Sequence, residues 1–332
     1  MEKSTPKWLA NIFFTIDPKA RNALFYFLSF IAPYSTKTYF GWGRKKTGEY
    51  AYQRKKKYGG RLVRLEDGFI RSLGLGVNKS PSFSLVEDDI GIYLDATKPS
   101  KLENILNDYP FSNDTVLIDT AKKAISLIKQ HHISKYNHAP TLDKNHFTNS
   151  KNIRVLIIAQ TAGDASLEYG LANENMIDQM IEDAITDNPY ASIYLKVHPD
   201  VISGKKQSSI SLAELPQRCE IISQDMNPIS LLEQMDIIYT CTSGMGMEAL
   251  ILGKKVICYG TPFYAGWGLT EDKQRCHRRQ RKLTLEQLFS GAYILYTQYY
   301  NPYQGRSSDI IDTINEIVKQ RKLAITKTHN AS

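Results

Sequence analysis

Four polar segments in the second half of the sequence follow apolar runs, and their residue types could carry group-transfer chemistry. The apolar runs cover 154–159, 192–197, 236–240 and 255–259 and are typical of buried parallel strands. At or after their ends lie, in chain order, Gln160 and Asp164, Lys196 and His198, Thr242 to Glu248, and an aromatic glycine loop over 260–268. A carboxylate can act as a nucleophile or base, while cations and backbone N–H groups can neutralise a departing phosphate. Because ligands bind beyond the carboxyl ends of parallel strands, we expect these groups to line one crevice.

The turn over 242–248 is the best candidate for binding phosphate. Its glycines, Gly246 among them, let the backbone approach a ligand, and the N–H groups at a helix start carry partial positive charge. It matches neither the phosphate loop that ends in Gly-Lys-Ser/Thr nor the GxGxxG fingerprint. A structural explanation is also available, since Ser243 and Asp164 could simply cap helices and His198 could be a structural histidine. Each motif alone permits both interpretations, and their convergence at the strand ends favours a site.

The elements that must position these groups fall into two halves. Strands that alternate with helices at 167–186, 228–235 and 246–252 predict right-handed βαβ units and a doubly wound parallel sheet. In the first half, β-type runs at 38–40, 61–65 and 91–94 and helical patterns at 49–58, 100–107 and 115–130 predict another α/β unit. We therefore predict an extension over 1–35, an α/β domain with a linker over 36–150, a second domain over 151–300, and a helix over 301–332 that returns to the first domain.

Composition and charge limit the classes of protein. The chain has 332 residues, of which 42% are hydrophobic, and this is typical of a folded protein with two domains. Its net charge of +8 excludes an acidic solubilising protein and favours an anionic partner, either a phosphate ligand or an anionic membrane. Nucleic acid is disfavoured because no recognition motif accompanies the charge. The four cysteines lack metal-ligand spacing, which predicts reduced thiols in a cytoplasmic protein.

Residues 1–35 mix aromatic and basic side chains. They include Trp8, Phe13, Phe14, Phe25, Phe27 and Phe30 together with Lys7, Lys19 and Arg21. This mixture is typical of a helix on a membrane surface, but a helix packed on the protein's own core shows the same pattern. No segment reaches the ~20 apolar residues of a transmembrane helix. We therefore predict a cytoplasmic protein peripheral to the inner membrane, held by this extension or by the basic clusters at 44–57 and 273–282.

Several segments together resemble a known family. Leu65-Glu-Asp-Gly-Phe-Ile-Arg-Ser-Leu-Gly-Leu-Gly-Val77, Lys196-Val-His-Pro-Asp200 and Pro262-Phe-Tyr-Ala-Gly-Trp-Gly-Leu-Thr270 resemble motifs of the KpsC-type capsule β-Kdo transferases. The segments at 81–97, 133–137, 160–164 and 242–250 resemble further motifs, in the same order. The resemblance covers about 36–320 and implies a GT-B-like α/β architecture, in which two Rossmann-like domains with parallel sheets face an interdomain cleft. Residues 1–35 match none of these motifs.

The resemblance also implies a reaction and its partners. Kdo would be transferred from CMP-β-Kdo, with retention, to a Kdo-bearing phospholipid or oligosaccharide at the inner leaflet of the membrane. The donor would bind in the domain over 151–300 and the acceptor on the side of 36–150. No cofactor and no metal are expected, because CMP leaves as a monophosphate that protein groups can neutralise. Other capsule-assembly proteins are further candidate partners.

Roles for individual residues follow from the same resemblance. Asp164 would be the nucleophile of a covalent intermediate, Glu66 or Asp67 the base, and Arg71 the partner of the Kdo carboxylate. Lys196, His198 and Ser243 would neutralise the phosphate. Glu248 would bind the ribose hydroxyls. The remaining expected donor contacts are Gln160, Lys135, Thr242 and Gly246.

Two other classes of function remain open at this point. An inverting CMP-sialic-acid transferase has motifs similar to the segments at 66–68, 198–199 and 242–243, and there Asp67 would be the base while Asp164 does no covalent chemistry. A non-catalytic glycan-binding module could keep the same fold. Release of CMP from CMP-Kdo or from CMP-sialic acid distinguishes these alternatives.

Overall fold

The computed structural model describes residues 7–75, 80–147, 152–160, 164–197 and 217–329. His198 lies outside these ranges, and so do the side chains of Lys7 and Trp8. None of the helices within the described ranges combines the length and the apolar character that a membrane span requires. All four cysteines are free thiols.

The first half of the chain is built around a five-stranded sheet. Its elements up to the second domain are α1 (Lys7–Thr15), α2 (Pro18–Ile31), β1 (Thr38–Trp42), α3 (Lys46–Tyr58), β2 (Arg61–Asp67), β3 (Ser84–Asp88), α4 (Lys101–Asp108) and α5 (Thr115–His131). Strands β1 and β2 are parallel, whereas β3 joins β2 in the antiparallel sense. The two strands that complete this sheet come from the end of the chain.

The second half contains a six-stranded sheet that is parallel throughout. Its elements are β4 (Arg154–Ile158), α6 (Ala165–Tyr169), α7 (Glu174–Asp187), β5 (Ser192–Lys196), β6 (Cys219–Ile222), α8 (Pro228–Glu233), β7 (Ile237–Thr240), α9 (Met245–Ile251), β8 (Lys255–Cys258) and β9 (Glu271–Asp272). The strand order is β6-β5-β4-β7-β8-β9. This is the order 3-2-1-4-5-6 of a dinucleotide-binding sheet. The first three strands are added toward one edge and the next three toward the other, so the strand order reverses between the first and fourth strands.

After this sheet the chain returns to the first half. Helix α10 (Leu285–Phe289) runs into a π-helical turn (Ser290–Leu295), followed by β10 (Thr297–Asn301), β11 (Arg306–Ser308) and α11 (Ile310–His329). Strand β10 pairs with β3 and with β11, both antiparallel. Helix α11 packs against α5. The chain therefore crosses from the second sheet to the first before residue 297.

A shared aromatic core holds the two halves together. The ring of Phe69, just after β2, lies 4.7 Å from that of Phe263, which follows β8, and 4.8 Å from that of Tyr293. Elsewhere between the two halves, the backbone N–H of Ala96 donates to the carbonyl oxygen of Tyr169 at 2.8 Å. The guanidinium of Arg44 lies 4.6 Å above the Tyr169 ring. Helix α6 is thus held against the first half.

Two expected elements differ in the structure. The predicted strand at 91–94 does not form, because Asp88 ends β3 and its Oδ1 accepts from the backbone N–H groups of Ile90 and Gly91, at 2.9 and 2.7 Å, turning the chain. The predicted helix at 167–186 is two helices, α6 and α7. Between them Leu171 has a φ of 57°, and Asn173 caps α7 by accepting from the Met176 N–H.

The extension packs mainly on the first sheet. Phe13, Phe14 and Phe25 are buried in a cluster with Trp42 and the inner face of β1 and β2. Phe27 and Phe30 lie on the other side of α2 and are 59% and 58% exposed. The aromatic residues of this segment therefore divide between the core and the surface.

Candidate active site

The carboxyl ends of three neighbouring strands are level at the point where the strand order of the second sheet reverses. Ile158 at the end of β4 pairs with Lys196 at the end of β5 and with Thr240 at the end of β7. In sheets of this order ligands bind at this reversal, beyond the strand ends. The residues that follow Ile158 and Thr240 are those that the sequence analysis singled out.

Gln160 and Thr242 bind each other across this reversal. Gln160 Oε1 accepts from both the backbone N–H and the hydroxyl of Thr242, each at 2.9 Å. Gln160 Nε2 donates to Ser166 Oγ at 2.9 Å, and that hydroxyl lies 3.1 Å from Thr242 Oγ1. These contacts fix the loop after β4 against the loop after β7. In the free protein both residues position the two loops.

Asp164 caps helix α6. Its side chain accepts from the backbone N–H of Ser166 at 2.9 Å, and the residue is half-buried. Within the described ranges this single bond involves Oδ1, and Oδ2 makes no hydrogen bond. Asp164 therefore caps a helix, as its structural explanation predicts. This role uses Oδ1, so Oδ2 remains for a ligand.

In the turn after β7, the two glycines have different surroundings. The N–H of Gly246 donates to the carbonyl oxygen of Ser243 at 3.0 Å, and a Cβ at Gly246 would lie 2.1 Å from the Tyr264 hydroxyl. That hydroxyl donates to the same Ser243 carbonyl at 2.5 Å. Gly246 is therefore required for packing and its N–H is engaged.

Gly244 is the residue of this turn that the sequence analysis did not select. It is exposed, its φ is −58°, and a Cβ there would meet open space. Its N–H donates to none of the residues that the structure describes. A glycine without a packing or conformational reason, at the start of a helix, is what a closely approaching ligand requires. The sequence did contain a signal for this role, since Gly244 is the first glycine of the turn over 242–248.

Lys196 lies at the end of β5 on the same edge. Its Nζ donates to the carbonyl oxygen of Gln224 at 2.8 Å. Burial lowers the pKa of this ammonium, while Asp225 opposes the shift. His198 follows two residues later, outside the described residues, so its contribution stays a prediction.

Glu248 joins the second half to a loop of the first. From helix α9 its Oε1 accepts from the Ser134 hydroxyl at 2.5 Å and from the Lys135 backbone N–H at 3.4 Å. Burial raises the pKa of Glu248 to about 7. The carboxyl group therefore titrates near neutral pH and contacts the neighbouring domain through one oxygen.

Lys135 connects that loop with the carboxylates after β2. Burial acts to lower the pKa of its ammonium, but Tyr93, Tyr136, Asp67 and Glu66 together raise it above its ordinary value. Asp67 and Glu66 are the carboxylates whose charges act on this ammonium. Lys135 thus stands between the carboxylates of the first half and Glu248, to which its own backbone is bound.

Glu66 and Asp67 end β2 and have different surroundings. Glu66 Oε1 accepts from Trp42 Nε1 at 2.8 Å and from the Asp67 N–H at 3.1 Å. Burial and the charge of Asp67 raise the pKa of Glu66, although Lys135 and Lys45 oppose the shift. A carboxylate with a raised pKa is a better proton acceptor near neutral pH. Glu66 is therefore the candidate base whose pKa is raised.

Arg71 is bound to the same pair. Its Nε donates to Asp67 Oδ1 at 3.0 Å, and its Nη1 donates to Ser72 Oγ at 2.7 Å and to the Ser80 carbonyl oxygen at 3.2 Å. The guanidinium is buried. One edge of this fork is consequently engaged by the protein, which restricts how it could bind a ligand carboxylate.

The loop that carries Ser134 and Lys135 is fixed by the last helix. Arg321 of α11 donates from Nη1 to the His131 carbonyl oxygen at 2.7 Å and from Nε to the Asn137 carbonyl oxygen at 3.0 Å. Asn137 also closes the loop internally, since its Oδ1 accepts from the Ser134 N–H at 3.0 Å. The loop is thus rigidly placed between the two halves.

The fold and the position of the polar groups define the class of this chain. It is an α/β protein of the GT-B-like type, with two sheets and candidate ligand groups at the carboxyl edge of a parallel sheet, facing the neighbouring half. This confirms the fold class that the resemblance implied. Comparison with known proteins then gives the family.

The chain belongs to the family of capsule polysaccharide biosynthesis proteins, whose model matches residues 39–301. Among solved structures it is similar to a β-Kdo 2,4 transferase, KpsC of Thermosulfurimonas dismutans, with 46% identity, a TM-score of 0.78, and coverage of 84% of this chain and 86% of that one. It is also similar to the KpsC β-Kdo 2,7 transferase of that organism, with 30% identity, a TM-score of 0.68, and coverage of 91% and 96%.

Two curated relatives are longer than this chain. The capsule polysaccharide modification protein LipA of Neisseria meningitidis serogroup B is 42% identical over 293 residues, which are 85% of this chain and 41% of LipA. The lipopolysaccharide-processing protein LpsZ of Rhizobium meliloti is 37% identical over 260 residues, which are 78% of this chain and 59% of LpsZ. The match thus spans 41% to 59% of the length of these relatives.

Proposed function

We propose that this chain is a glycosyltransferase of capsule synthesis that moves Kdo from CMP-β-Kdo to a Kdo-bearing acceptor with retention of configuration. The observation that carries the proposal is the similarity to a solved β-Kdo 2,4 transferase over 84% of this chain. The carboxylates, cations and helix start at the carboxyl edge of the second sheet support it. The acceptor is a phospholipid or oligosaccharide that ends in Kdo.

The donor binds at the reversal of the second sheet. Its phosphate approaches the Gly244 N–H at the start of α9, with Ser243 and the cation of Lys196 beside it. The ribose lies toward Glu248, whose second oxygen remains for a hydroxyl. His198 is a further proposed phosphate contact. Gln160, Thr242 and Gly246 keep the turn in the geometry that this requires, and Lys135 approaches from the other half.

The two glycines of this turn supply a test of donor binding. Gly244→Ala should leave the free energy of unfolding within ~0.5 kcal/mol of wild type, because its Cβ meets open space. It should weaken CMP binding by about fivefold, ~1 kcal/mol, by holding the phosphate away from the backbone. Gly246→Ala is the matched control and should cost ~1–3 kcal/mol of stability, because its Cβ overlaps Tyr264. Calorimetric titration and thermal unfolding measure both; unchanged CMP affinity in Gly244→Ala would place the phosphate elsewhere.

Retention can proceed through two displacements or through a shielded ion pair, and the carboxylate of Asp164 favours two displacements. In the first, Asp164 Oδ2 forms a bond to the anomeric carbon while the bond from that carbon to the CMP phosphate oxygen breaks, and CMP departs with the electron pair. In the second, an acceptor hydroxyl forms its bond to the anomeric carbon and the bond to Asp164 breaks. The hydroxyl proton goes to Glu66. Two inversions restore the β configuration.

Donor-dependent release of CMP tests the whole proposal. Multiple turnovers of CMP-Kdo should require a Kdo-terminated acceptor, donor alone should release no more CMP than the Asp164 adduct accounts for, and the product should show the β anomer by NMR. Consumption of CMP-sialic acid with inversion would instead support the alternative in which Asp67 is the base. No release from either donor would identify a non-catalytic glycan-binding module.

We further propose that the protein works in the cytoplasm on the inner leaflet, beside other capsule-assembly proteins, and that one face of α2 contacts the membrane. Phe27 and Phe30 are exposed on α2, and Tyr34 just beyond it is 84% exposed. The basic last turn of α3 is adjacent, because Arg54 Nη2 donates to the Phe30 carbonyl oxygen at 2.9 Å. Exposed aromatic groups beside cations are typical of surfaces that bind anionic lipid. Phe13 and Phe25 belong to the core, so deleting the extension would disrupt the fold.

Substitution of the exposed pair tests this surface. Phe27→Ser with Phe30→Ser should reduce co-sedimentation with anionic vesicles by at least about tenfold, since each inserted ring contributes ~1.5–3 kcal/mol. Transfer to a soluble acceptor should be unchanged. Val116→Ser, which alters a 76% exposed apolar residue on α5, is the matched control and should sediment like wild type. Equal sedimentation of all three proteins, reversed by high salt, would assign the contact to the basic clusters alone.

A further inference from the structure

Arg21 brings a cation from the extension to the carboxylates after β2. It lies in the first turn of α2, whose start is fixed by Pro18 and by Asp17, which accepts from the Lys19 N–H at 2.8 Å. Its guanidinium carbon lies 3.5 Å from the centre of the Trp42 ring. Arg21 precedes the segment that the family model matches. The sequence left open whether the helix that carries this cation lies on lipid headgroups or on the protein's own core.

Among the described residues, none accepts a hydrogen bond from the guanidinium of Arg21. Its Nε is buried and has no hydrogen-bond acceptor among the residues that the structure describes. Burying such a donor costs ~1–3 kcal/mol, so it calls for an explanation. The cation–π contact with Trp42 holds the group in place without using any of its N–H donors. The terminal N–H groups of Arg21, which no described residue accepts, therefore remain for a ligand.

Trp42 connects this cation to the proposed base. One face of the indole contacts Arg21, and its Nε1 donates to Glu66 Oε1 at 2.8 Å. Asp67 and Glu66 are the acidic groups that act most strongly on Arg21, and Arg71 is also near. Arg71, however, has its Nε and Nη1 engaged by Asp67, Ser72 and Ser80. Of the two guanidinium groups at this carboxylate pair, Arg21 has more N–H donors that bind no described residue.

We infer that Arg21 binds the carboxylate of the acceptor sugar and so orients its hydroxyl toward Glu66. A guanidinium binds a carboxylate through two parallel hydrogen bonds, which fix orientation as well as position. Arg21 belongs to the first half, beside the base, whereas the donor groups belong to the second. This inference rests on the proposed function for the identity of the sugar, a Kdo glycoside, and makes Arg21 a specificity residue for an acidic acceptor.

Binding of the acceptor can be measured without any transfer. The probes are the methyl glycoside of β-Kdo and its methyl ester, titrated calorimetrically into the full chain without donor. Wild type should bind the acid at least about tenfold more tightly than the ester. Arg21→Ala should lose that preference, and Arg21→Lys should keep part of it. Lys19→Ala, an exposed cation in the same helical turn, should behave like wild type.

Each outcome bears on the inference separately from the proposed transfer, which is judged by CMP release. Acid binding by Arg21→Ala equal to that of wild type would overturn the inference, as would equal binding of acid and ester by wild type. If Arg21→Ala has a lowered melting temperature, Arg21→Gln, which keeps the side-chain length, decides by the same acid-to-ester ratio. In transfer assays Arg21→Ala should raise KM for the acidic acceptor and leave the affinity for CMP unchanged.

Discussion

Asp164→Asn is expected to abolish Kdo transfer and leave the fold intact. An amide lacks the anionic electron pair that attacks the anomeric carbon, so the rate should fall by at least about a thousandfold, ~4 kcal/mol of barrier. The fold should persist because the structural role of Asp164 is to cap α6 through the Ser166 N–H, and asparagine caps helices as well as aspartate does. The measurement is transfer from CMP-Kdo to a Kdo-terminated acceptor, with thermal unfolding alongside.

A second helix cap provides the control for this substitution. Asp114 caps α5 by accepting from the Leu117 N–H at 3.0 Å, so Asp114→Asn makes the same chemical change at another helix start. It should retain transfer. Mass spectrometry of wild type with donor alone should detect Kdo bound to Asp164. Transfer by Asp164→Asn within tenfold of wild type, or an adduct on another residue, would show that Asp164 is not the nucleophile.

Glu66→Gln is expected to lower kcat by ~10²–10⁴ by removing the base that accepts the hydroxyl proton. Glutamine can still accept the bond from Trp42 Nε1, so the packing around the site should survive. Because burial and Asp67 raise the pKa of Glu66, the wild-type rate should fall on the acid side of that raised pKa, as the base becomes protonated. The variant should lose this acid limb of the pH–rate profile.

Asp67→Asn distinguishes the two neighbouring carboxylates. This change removes the charge that Arg71 Nε contacts at 3.0 Å and also one cause of the raised pKa of Glu66. The acid limb should therefore move to lower pH but remain. If instead Asp67→Asn removes the limb while Glu66→Gln keeps it, Asp67 is the base.

The architecture could be predicted where local pattern determines it. Apolar runs separated by helices identified β4, β5, β7 and β8, because each of these buried parallel strands is continuous and β-rich, whereas β6 at Cys219–Ile222 was not predicted. The run at 91–94 was misassigned because it is equally apolar. Ile92 is fully buried by packing and not by strand pairing, since Asp88 has already turned the chain. The hydrophobic pattern of a sequence indicates which side chains are buried. It does not indicate which backbone groups form hydrogen bonds with a neighbouring strand.

The contacts of the candidate site could likewise be predicted from the sequence only where local pattern determines them. Gln160 and Thr242 could be placed together from the sequence, since both follow strands of one parallel sheet, and they are in contact. The bond from Ser134 to Glu248 could not, because its partners are 114 residues apart and belong to different domains. For the same reason the sequence left open whether the helix of Arg21 lies on the membrane or on the core, since nothing local indicates that α2 brings Arg21 onto Trp42.

The bonds from Arg321 to the loop over 131–137 also bear on when the site forms during synthesis. Arg321 follows Asn137 by 184 residues, so the ribosome translates the loop long before its partner. Until α11 has emerged, the carbonyl oxygens of His131 and Asn137 lack these donors, although the Lys135 carbonyl oxygen can already accept from the N–H groups of Arg71 and Ser72. A nascent chain that already contains all of 39–301 is therefore still without a finished loop. Ribosomal arrest or a stop codon before Arg321 would yield a protein with the family segment whole and the site unassembled.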